Sequence, residues 1–410
     1  MTGIILKDNM VSLKEISAKV DEHQEEAISF LQELIRAPSP SGDEVAAAEV
    51  VATKMRGVGF DEVGVDELND VTGVIKGVGS GRNILFNGHI DHVPPGDMPE
   101  PYSGELMDGE PFGVEGEVVY GRAASDMKGA AAAMVMAGGM LRKLGVELKG
   151  DYMVAAVAQE EVGGAGTAAT IEAAFLGDVV IIGEATNMEI ALGHRGSTKV
   201  EVVVKGRSCH ASAPERGINA LYKAVDILDR IRSELIPALP DHPLYGKTTL
   251  TATQISVKPD TPNVVPEECR FTLDCRYNPK YSVKALSEAL EAVIAEMKEA
   301  DPELEAEVVT RRSSREFTGF YTDPEEYREV EEARQAAAEV LGREPELKVW
   351  QFATDGRFYS WRGLPVIGFG PGEERSAHTH QDFVRVGDYL DTIKVYAWLA
   401  CVICGVNKKD

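Results

Sequence analysis

The chain reads as an α/β protein: a mostly parallel mixed sheet sandwiched by helices, with a smaller α+β domain inserted into it. Three observations lead there. Short, continuously apolar runs alternate with helical stretches in both outer parts of the sequence, as expected of a sheet covered on both faces. Between about 196 and 312 the runs switch to apolar/polar alternation, the pattern of antiparallel strands with one wet face. The 410 residues, 44% apolar, exceed the usual size of one core.

Taken in order, the first sixty residues predict two helices. SLKEISAKVDEHQEEAISFLQELI repeats apolar residues at three and four, and GDEVAAAEVVATKMRGVG does so again before glycine stops it. Strands follow at NILFNGH (83–89), YMVAAVAQE (152–160), VVIIGEA (179–185) and PVIGFGPG (365–372). Helices are expected near 125–144, 164–175, 323–341 and 355–361. Residues 92–116, rich in Pro, Gly and acids, read as a long irregular loop beside a site. In the insert, STKVEVVVKG, TTLTATQISV, ECRFTLDCRY and EAEVVT alternate, with helices near 217–235 and 282–299. The expected division is a metal-binding domain of 1–195 and 313–410 and an inserted domain of 196–312.

Composition excludes several classes. Sixty-seven acidic against 42 basic residues give a formal charge of −25, which repels phosphate backbones and argues against nucleic acid as a partner. No apolar run reaches the roughly eighteen residues of a membrane span, and MTGIILKDNMVSLKE lacks the basic-then-apolar order of an export signal, so a cytoplasmic protein is expected. Five cysteines are too sparse for a disulfide framework. Cys401 and Cys404 form a CxxC inside YAWLACVICGV, where helical spacing puts both on one packed face.

Ligand-type residues stand where strands end: His89 after ILFNG, Glu160 and Glu161 after MVAAVAQ, Glu184 after VVIIG. In open α/β sheets ligands bind outside the carboxyl ends of the strands. Taken singly, each has a plainer reading: a histidine satisfied in the core, an EE pair on a solvated loop, Asp126 capping a helix. Together, carboxylates crowded into one crevice need counter-charge. With Asp126, Glu161, Glu184, His89 and His378 holding two zinc ions, three negative charges meet four positive, leaving one for a bridging hydroxide. One aspartate must bridge such a pair, and Asp126, on the turn SDMKG opening a helix, is the candidate. Neighbours in extended backbone point opposite ways, so of Glu160 and Glu161 one can be ligand and the other general base. Asp91, two residues from His89, is placed to accept the other imidazole N–H and fix its tautomer.

HIDHV, GRAASDMKGA, QEEVGGAGT, GEATN and AHTHQD, in this order over nearly the whole chain, resemble the aminoacylase, acetylornithine deacetylase, succinyl-diaminopimelate desuccinylase and glutamate carboxypeptidase family of co-catalytic zinc hydrolases. SCHASAPERGINA and RGLPVIGFGPG look closest to its selenium-metabolism-linked branch. The resemblance implies that His89, Asp126 and Glu184 hold one zinc and Asp126, Glu161 and His378 the other, with Glu160 as base, Asp91 behind His89, and a cis bond from Asp126 to Met127. It also implies that His210 reaches a partner subunit's active site and that Asn263 and Arg276 bind substrate carbonyl or carboxylate, which makes the insert a lid and dimerisation domain and the protein a homodimer. Gln381 and Asp382 depart from the family's Asn-Glu or Asp-Glu; His380 competes with His378, and spacing to the acid favours His378. Cys275 stands where an aliphatic residue is commoner.

The expected reaction is metal-dependent hydrolysis of a linear amide in an N-acyl amino acid, of deacetylase or desuccinylase type. A dipeptidase or carboxypeptidase of the same family is the alternative. Two divalent ions are expected, zinc first, with cobalt and manganese suited to the same ligands. Two other readings are weighed. A non-catalytic metal-binding protein would be free to lose Glu160, which is present; a nucleotide-binding protein would need the strand-GxGxxG-helix fingerprint that EEVGGAGT lacks.

Overall fold

The computed structural model describes residues 11–279, 281–310 and 318–407. The expected domain edge at 312 and 313 and the first ten residues of the N-terminal reading lie outside them. The chain divides into two compact units: 1–193 with 321–350 and 354–410, and 194–320 with 351–353.

The first unit is built on a nine-stranded sheet. Its order is Glu62–Val65, Val71–Ile75, Tyr152–Val157, Ile84–His89, Val179–Ile182, Val366–Gly368, Ile190–His194 and Phe320–Tyr321, with Leu347–Trp350 beside Ile190–His194. The centre of the sheet is parallel: Ile84–His89 pairs with Tyr152–Val157 on one side and Val179–Ile182 on the other, and Val366–Gly368 continues it. Every residue of Ile84–His89 and Tyr152–Val157 is buried, which is why both read as largely apolar runs, and the polar Asn87 within the first is satisfied by Thr167 and Tyr359 at 3.2 and 3.1 Å. Val71–Ile75 runs antiparallel to Tyr152–Val157, with Val71 opposite Ala156, so its first residues reach the end of the sheet where the parallel strands finish.

Helix Gly129–Lys143 is rich in alanine and glycine and buried from Gly129 to Leu141. A Cβ on Gly138 would meet Phe60 at 2.9 Å and one on Gly139 would meet Val58 at 2.8 Å, so the missing side chains set how closely Val45–Val58 packs. Helix Val386–Cys404 carries Cys401 and Cys404 into the core; burial raises both thiols, Cys404 to about 12.

Two expectations need correction here. The first long helix is two, Leu13–Glu22 and Gln24–Arg36, because His23 leaves helical geometry at φ −115° and turns its Nδ1 to the Lys19 carbonyl at 3.0 Å. Residues 92–116 are not wholly irregular: Glu105–Asp108 pairs with Glu117–Tyr120, which pairs with Phe383–Arg385 in a three-stranded sheet.

The second unit has a four-stranded antiparallel sheet in the order Thr249–Lys258, Glu268–Tyr277, Gly196–Lys205, Glu305–Thr310. Alternation sorts its faces: Val200, Val202, Val204, Cys269, Phe271, Leu273 and Cys275 form a core with Ala220–Arg230 and Val283–Ala300. Thr249–Lys258 is an edge strand with eight of its ten residues exposed. Among the described residues no helix is long and apolar enough to cross a membrane.

Candidate metal centre

His89 ends a buried strand, and Gly88 before it leaves room for the turn carrying Asp126: a Cβ there would meet Met127 at 2.5 Å. That turn is irregular, with Ala123 at φ 71° and a cis peptide bond between Asp126 and Met127. Asp382 holds it, accepting the N–H groups of Ala123 and Ser125 at 2.8 and 2.9 Å and an Arg122 N–H at 3.0 Å. Burial pushes the Asp382 carboxyl up to about 7, against these donors.

The two oxygens of Asp126 face different imidazoles. Oδ1 lies 2.9 Å from His89 Nε2 and Oδ2 lies 3.1 Å from His378 Nε2. Glu184 Oε1 is 3.6 Å from His89 Nε2, and Glu161 Oε1 is 2.8 Å from His378 Nε2. Ligand atoms of His89, Glu160 and Glu184 fall within 4.8 Å of one another, as do those of His89, Asp126 and Glu161. Glu160 therefore stands inside the cluster, beside residues assigned as ligands. His380 is placed differently: its backbone carbonyl accepts the Tyr120 hydroxyl at 3.5 Å.

The Glu160–Glu161 pair corrects a third expectation. It lies in a turn rather than extended backbone, because Gln159 takes the left-handed conformation at φ 59°. Asp91 also does more than expected. Its backbone carbonyl is 3.1 Å from His89 Nδ1 and its carboxylate 3.4 Å, so the carbonyl is the nearer acceptor. The carboxylate accepts the Ser41 hydroxyl at 2.6 Å and the backbone N–H groups of Glu160 and Glu161 at 3.1 and 3.3 Å.

Crowding sets the protonation. Burial drives the Glu184 carboxyl well above its ordinary range, reinforced by Asp126; burial and then Asp355 do the same to Glu160. Burial disfavours a charged His89, but Asp126, Asp91 and Glu184 outweigh it and raise its pKa well above 6.5. Hydrogen bonds to Asp126 and Glu161 push His378 up to about 10. Burial opposes the charge of Asp126, yet the two imidazoles hold its carboxyl far below the ordinary value. Protons here do what divalent cations do better, which is to balance packed acids.

The donor set fits such cations on two grounds. Glu184 Oε2 is buried with no hydrogen-bond partner, an acceptor in need of a cation. The imidazole-to-carboxylate separations of 2.8 to 3.6 Å bracket the roughly 3.4 Å between ligands each about 2.1 Å from a tetrahedral ion.

The other expected site residues belong to the second unit. His210 pairs with Val264 in a two-residue strand, and Ala211 N–H donates to the Asn263 carbonyl at 3.0 Å, which brings His210 and Asn263 together. His210 Nδ1 is 2.8 Å from the Ser212 hydroxyl. Arg276 donates to Asp274 at 2.9 Å and lines a cavity of about 420 Å³ with Arg195, Ser197 and Gln351. Sequence reasoning missed Arg195 and Ser41, and it used Asp382 only as the acid that sets the choice of His378, not as the residue that holds the Asp126 turn; HRGSTKV, a cation ahead of a strand, is the only signal that Arg195 or Ser41 leaves.

With this geometry in place, the comparisons are specific. The pattern of the peptidase family M20/M25/M40 matches residues 85–401. YgeY of Escherichia coli (strain K12) is 30% identical over 416 residues, covering 95% of this chain and 98% of its own. A succinyl-diaminopimelate desuccinylase of Gluconacetobacter diazotrophicus is 29% identical over 393 residues, covering 90% and 95%. The crystal structure of the Bacillus subtilis YXEP protein, a dinuclear metal binding peptidase, superposes with a TM-score of 0.68 at 18% identity, covering 94% of this chain and 100% of its own. The match spans the strand end that bears His89, the turns that bear Asp126 and Glu161, the segment after Val179–Ile182 that bears Glu184 and the turn that bears His378, so the chain belongs to the peptidase family M20/M25/M40 and is a metallohydrolase of amide bonds.

Proposed function

We propose that this protein hydrolyses the linear amide of an N-acyl amino acid, of deacetylase or desuccinylase type, at two divalent ions. The observation that carries this reading is the bridging posture of Asp126, with one oxygen toward His89 and the other toward His378. His89, Asp126 and Glu184 would hold one ion and Asp126, Glu161 and His378 the other, and the ions supply Lewis acidity, zinc lowering the pKa of water to about 7.

The chain's own residues do the rest. Glu160 accepts a proton from the attacking water as its oxygen bonds to the carbonyl carbon. The C–N bond then breaks, and Glu160 returns the proton to the leaving amine. Asp91 fixes the direction of His89 and the backbone beneath Glu160. His210, from a partner subunit, donates to the developing oxyanion, with Asn263 beside it. Arg276 with Arg195 holds the substrate carboxylate; two guanidiniums in one cavity suit an anionic end. The desuccinylase relatives support an N-acyl substrate.

A homodimer is part of this reading. The edge strand Thr249–Lys258 carries no charged side chain before Lys258 and exposes Ile255 at 53%, a template that a second copy can pair with. Free cysteines accord with the reducing cytoplasm.

The test is amine release from acetylated and succinylated amino acids beside dipeptides, by protein stripped with a chelator and reloaded with zinc, cobalt or manganese. Release from the acylated amino acids is expected. No release with any metal overturns the reading, and release from dipeptides alone moves the protein to the dipeptidases.

A further inference from the structure

The turn that carries Glu160 is held by carboxylates from three different elements. Ala158 N–H donates to Asp70 Oδ1 at 2.7 Å, the Gln159 N–H acts on Glu44, and the Glu160 and Glu161 N–H groups donate to Asp91 at 3.1 and 3.3 Å. Four successive backbone donors thus face buried acids. Asp91 follows the strand of His89 and already stands next to the metal ligands. Asp70 does neither: it opens the strand Val71–Ile75, and antiparallel pairing of Val71 with Ala156 brings it to the last residues of Tyr152–Val157.

Asp70 is 1% exposed, and its Oδ2 has no hydrogen-bond partner. A buried acid with one oxygen unpaired costs on the order of 1–3 kcal/mol. The surroundings are also shaped around it. A Cβ on Gly166 would sit 2.1 Å from Asp70 Oδ1 and 2.6 Å from the Ala158 carbonyl, so glycine is needed there for Asp70 to reach Ala158. Across the turn, Arg357 donates to the Gly163 carbonyl at 3.1 Å and fixes the other end. Between these anchors Gln159 is held at φ 59°, a conformation that a side-chain-bearing residue keeps only under constraint.

We propose that Asp70 is a positioning residue: by fixing the Ala158 N–H it holds Gln159 left-handed and so sets the direction in which the Glu160 side chain leaves the turn. This rests on the reading of Glu160 as proton acceptor.

The experiment compares Asp70→Ala with Asp70→Asn, which keeps an acceptor oxygen, in the metal-loaded enzyme on its best-cleaved N-acyl amino acid. Asp70→Ala should lower kcat about tenfold or more, since misplacement of about 1 Å can cost 10²-fold, with KM and metal stoichiometry unchanged. Amide exchange across 158–164 should quicken. Asp70→Asn should recover most of kcat, and Asp70→Ala should lower nothing further in a Glu160→Ala background. Full kcat in Asp70→Ala, a change in KM alone, a loss matched by metal loss, or an Asn variant no better than Ala overturns the proposal. Should Asp70→Ala not fold, Asp70→Leu, which keeps the volume at this position and removes the acceptor, carries the test: a loss confined to kcat supports the proposal and full kcat overturns it. Full activity in Glu160→Ala instead overturns the reading of Glu160, whereas activity lost there and kept in Asp70→Ala overturns the positioning role alone.

Discussion

Asp91 Oδ1 accepts the backbone N–H of Glu160 at 3.1 Å, and this bond joins the strand that ends in His89 to the turn that carries the proposed base. With Oδ2 on the Glu161 N–H and the Ser41 hydroxyl, the Asp91 carboxylate has no free acceptor face. Burial raises the Asp91 carboxyl, but its bond to His89 and then Ser41 bring it below the ordinary value, so it stays ionised and can serve all four donors.

Asp91→Asn should therefore do more than lose a partner for His89. The amide has one acceptor oxygen for two backbone N–H groups and presents its own donors to the other. A loss of about 10- to 100-fold in metal affinity or in kcat is expected. Chelator competition and steady-state kinetics on the same preparation check it; an unchanged affinity together with an unchanged kcat removes Asp91 from the machinery.

Glu160→Gln separates base from ligand. Because Glu160 lies within 4.8 Å of His89 and Glu184 ligand atoms, geometry alone permits either role. As base, its loss should lower kcat by about 10²- to 10⁴-fold with both metal ions retained. Elemental analysis showing one ion gone would make Glu160 a ligand.

Four of the five metal candidates were legible because they follow a buried, largely apolar strand or open a helix: His89 and Glu184 close runs in which Asn87 is the one other polar side chain, Glu161 follows Tyr152–Val157 and Asp126 precedes Gly129–Lys143, whereas His378 lies in a turn and was legible only through the AHTHQD motif. The four-stranded sheet of the second unit was legible for the same reason, its alternation marking one wet face. What stayed hidden depends on register. Asp70 sits in ELNDV, which reads as an ordinary turn, and only the pairing of Val71 with Ala156 brings it under Ala158. Asp382 reaches Ser125 across more than 250 residues, and nothing local distinguishes its carboxylate from a solvated one. The Glu160–Glu161 turn was misread as extended because neither glycine nor asparagine announces the left-handed Gln159; the carboxylates around it impose that conformation.

Metal binding should be coupled to proton release. In chelator-stripped protein His378 is pushed up to about 10 by Asp126 and Glu161, and His89 and Glu184 are also raised, yet a cation needs neutral imidazoles and ionised carboxylates. Each ion must displace protons, so apparent affinity rises with pH, about tenfold per unit for each proton displaced. Calorimetry in two buffers of different ionisation enthalpy measures the release; zero protons released near neutral pH contradicts the assignment. The sign for stability of stripped protein is opposite. The histidine is raised above its ordinary 6.5, so its contribution is complete below 6.5 and is lost as pH rises through about 10.

In the second unit, Glu268 gathers Arg270 at 2.7 Å, Lys205, and Lys258 at 3.2 Å, and Arg270 and Lys205 chiefly hold its carboxyl down at about 2. A depressed acid contributes stability above its ordinary 4.5 that is lost as pH falls through about 2. The cations are substantially exposed, so screening leaves about 1 kcal/mol. Glu268→Gln should lower the melting temperature at pH 7, and the gap from wild type should narrow by pH 3. Parallel melting curves at both values would deny the carboxylate this role.

The dimer reading makes a claim about which chain supplies which group. If His210 serves the site of a partner subunit, a chain with Glu160→Ala still lends a working His210, and a chain with His210→Ala still holds a working Glu160. Each homodimer is defective at both sites. A random mixture is half heterodimer, each with one intact site of two, so co-expression should restore about a quarter of wild-type activity. The edge strand supplies the control: Ile255→Lys places a charge at its exposed centre and should yield monomers by light scattering together with a loss of the restored activity. Activity that stays at the level of the separate variants after co-expression places His210 in its own chain's site or outside catalysis, and full activity in monomeric Ile255→Lys excludes a contribution from the partner.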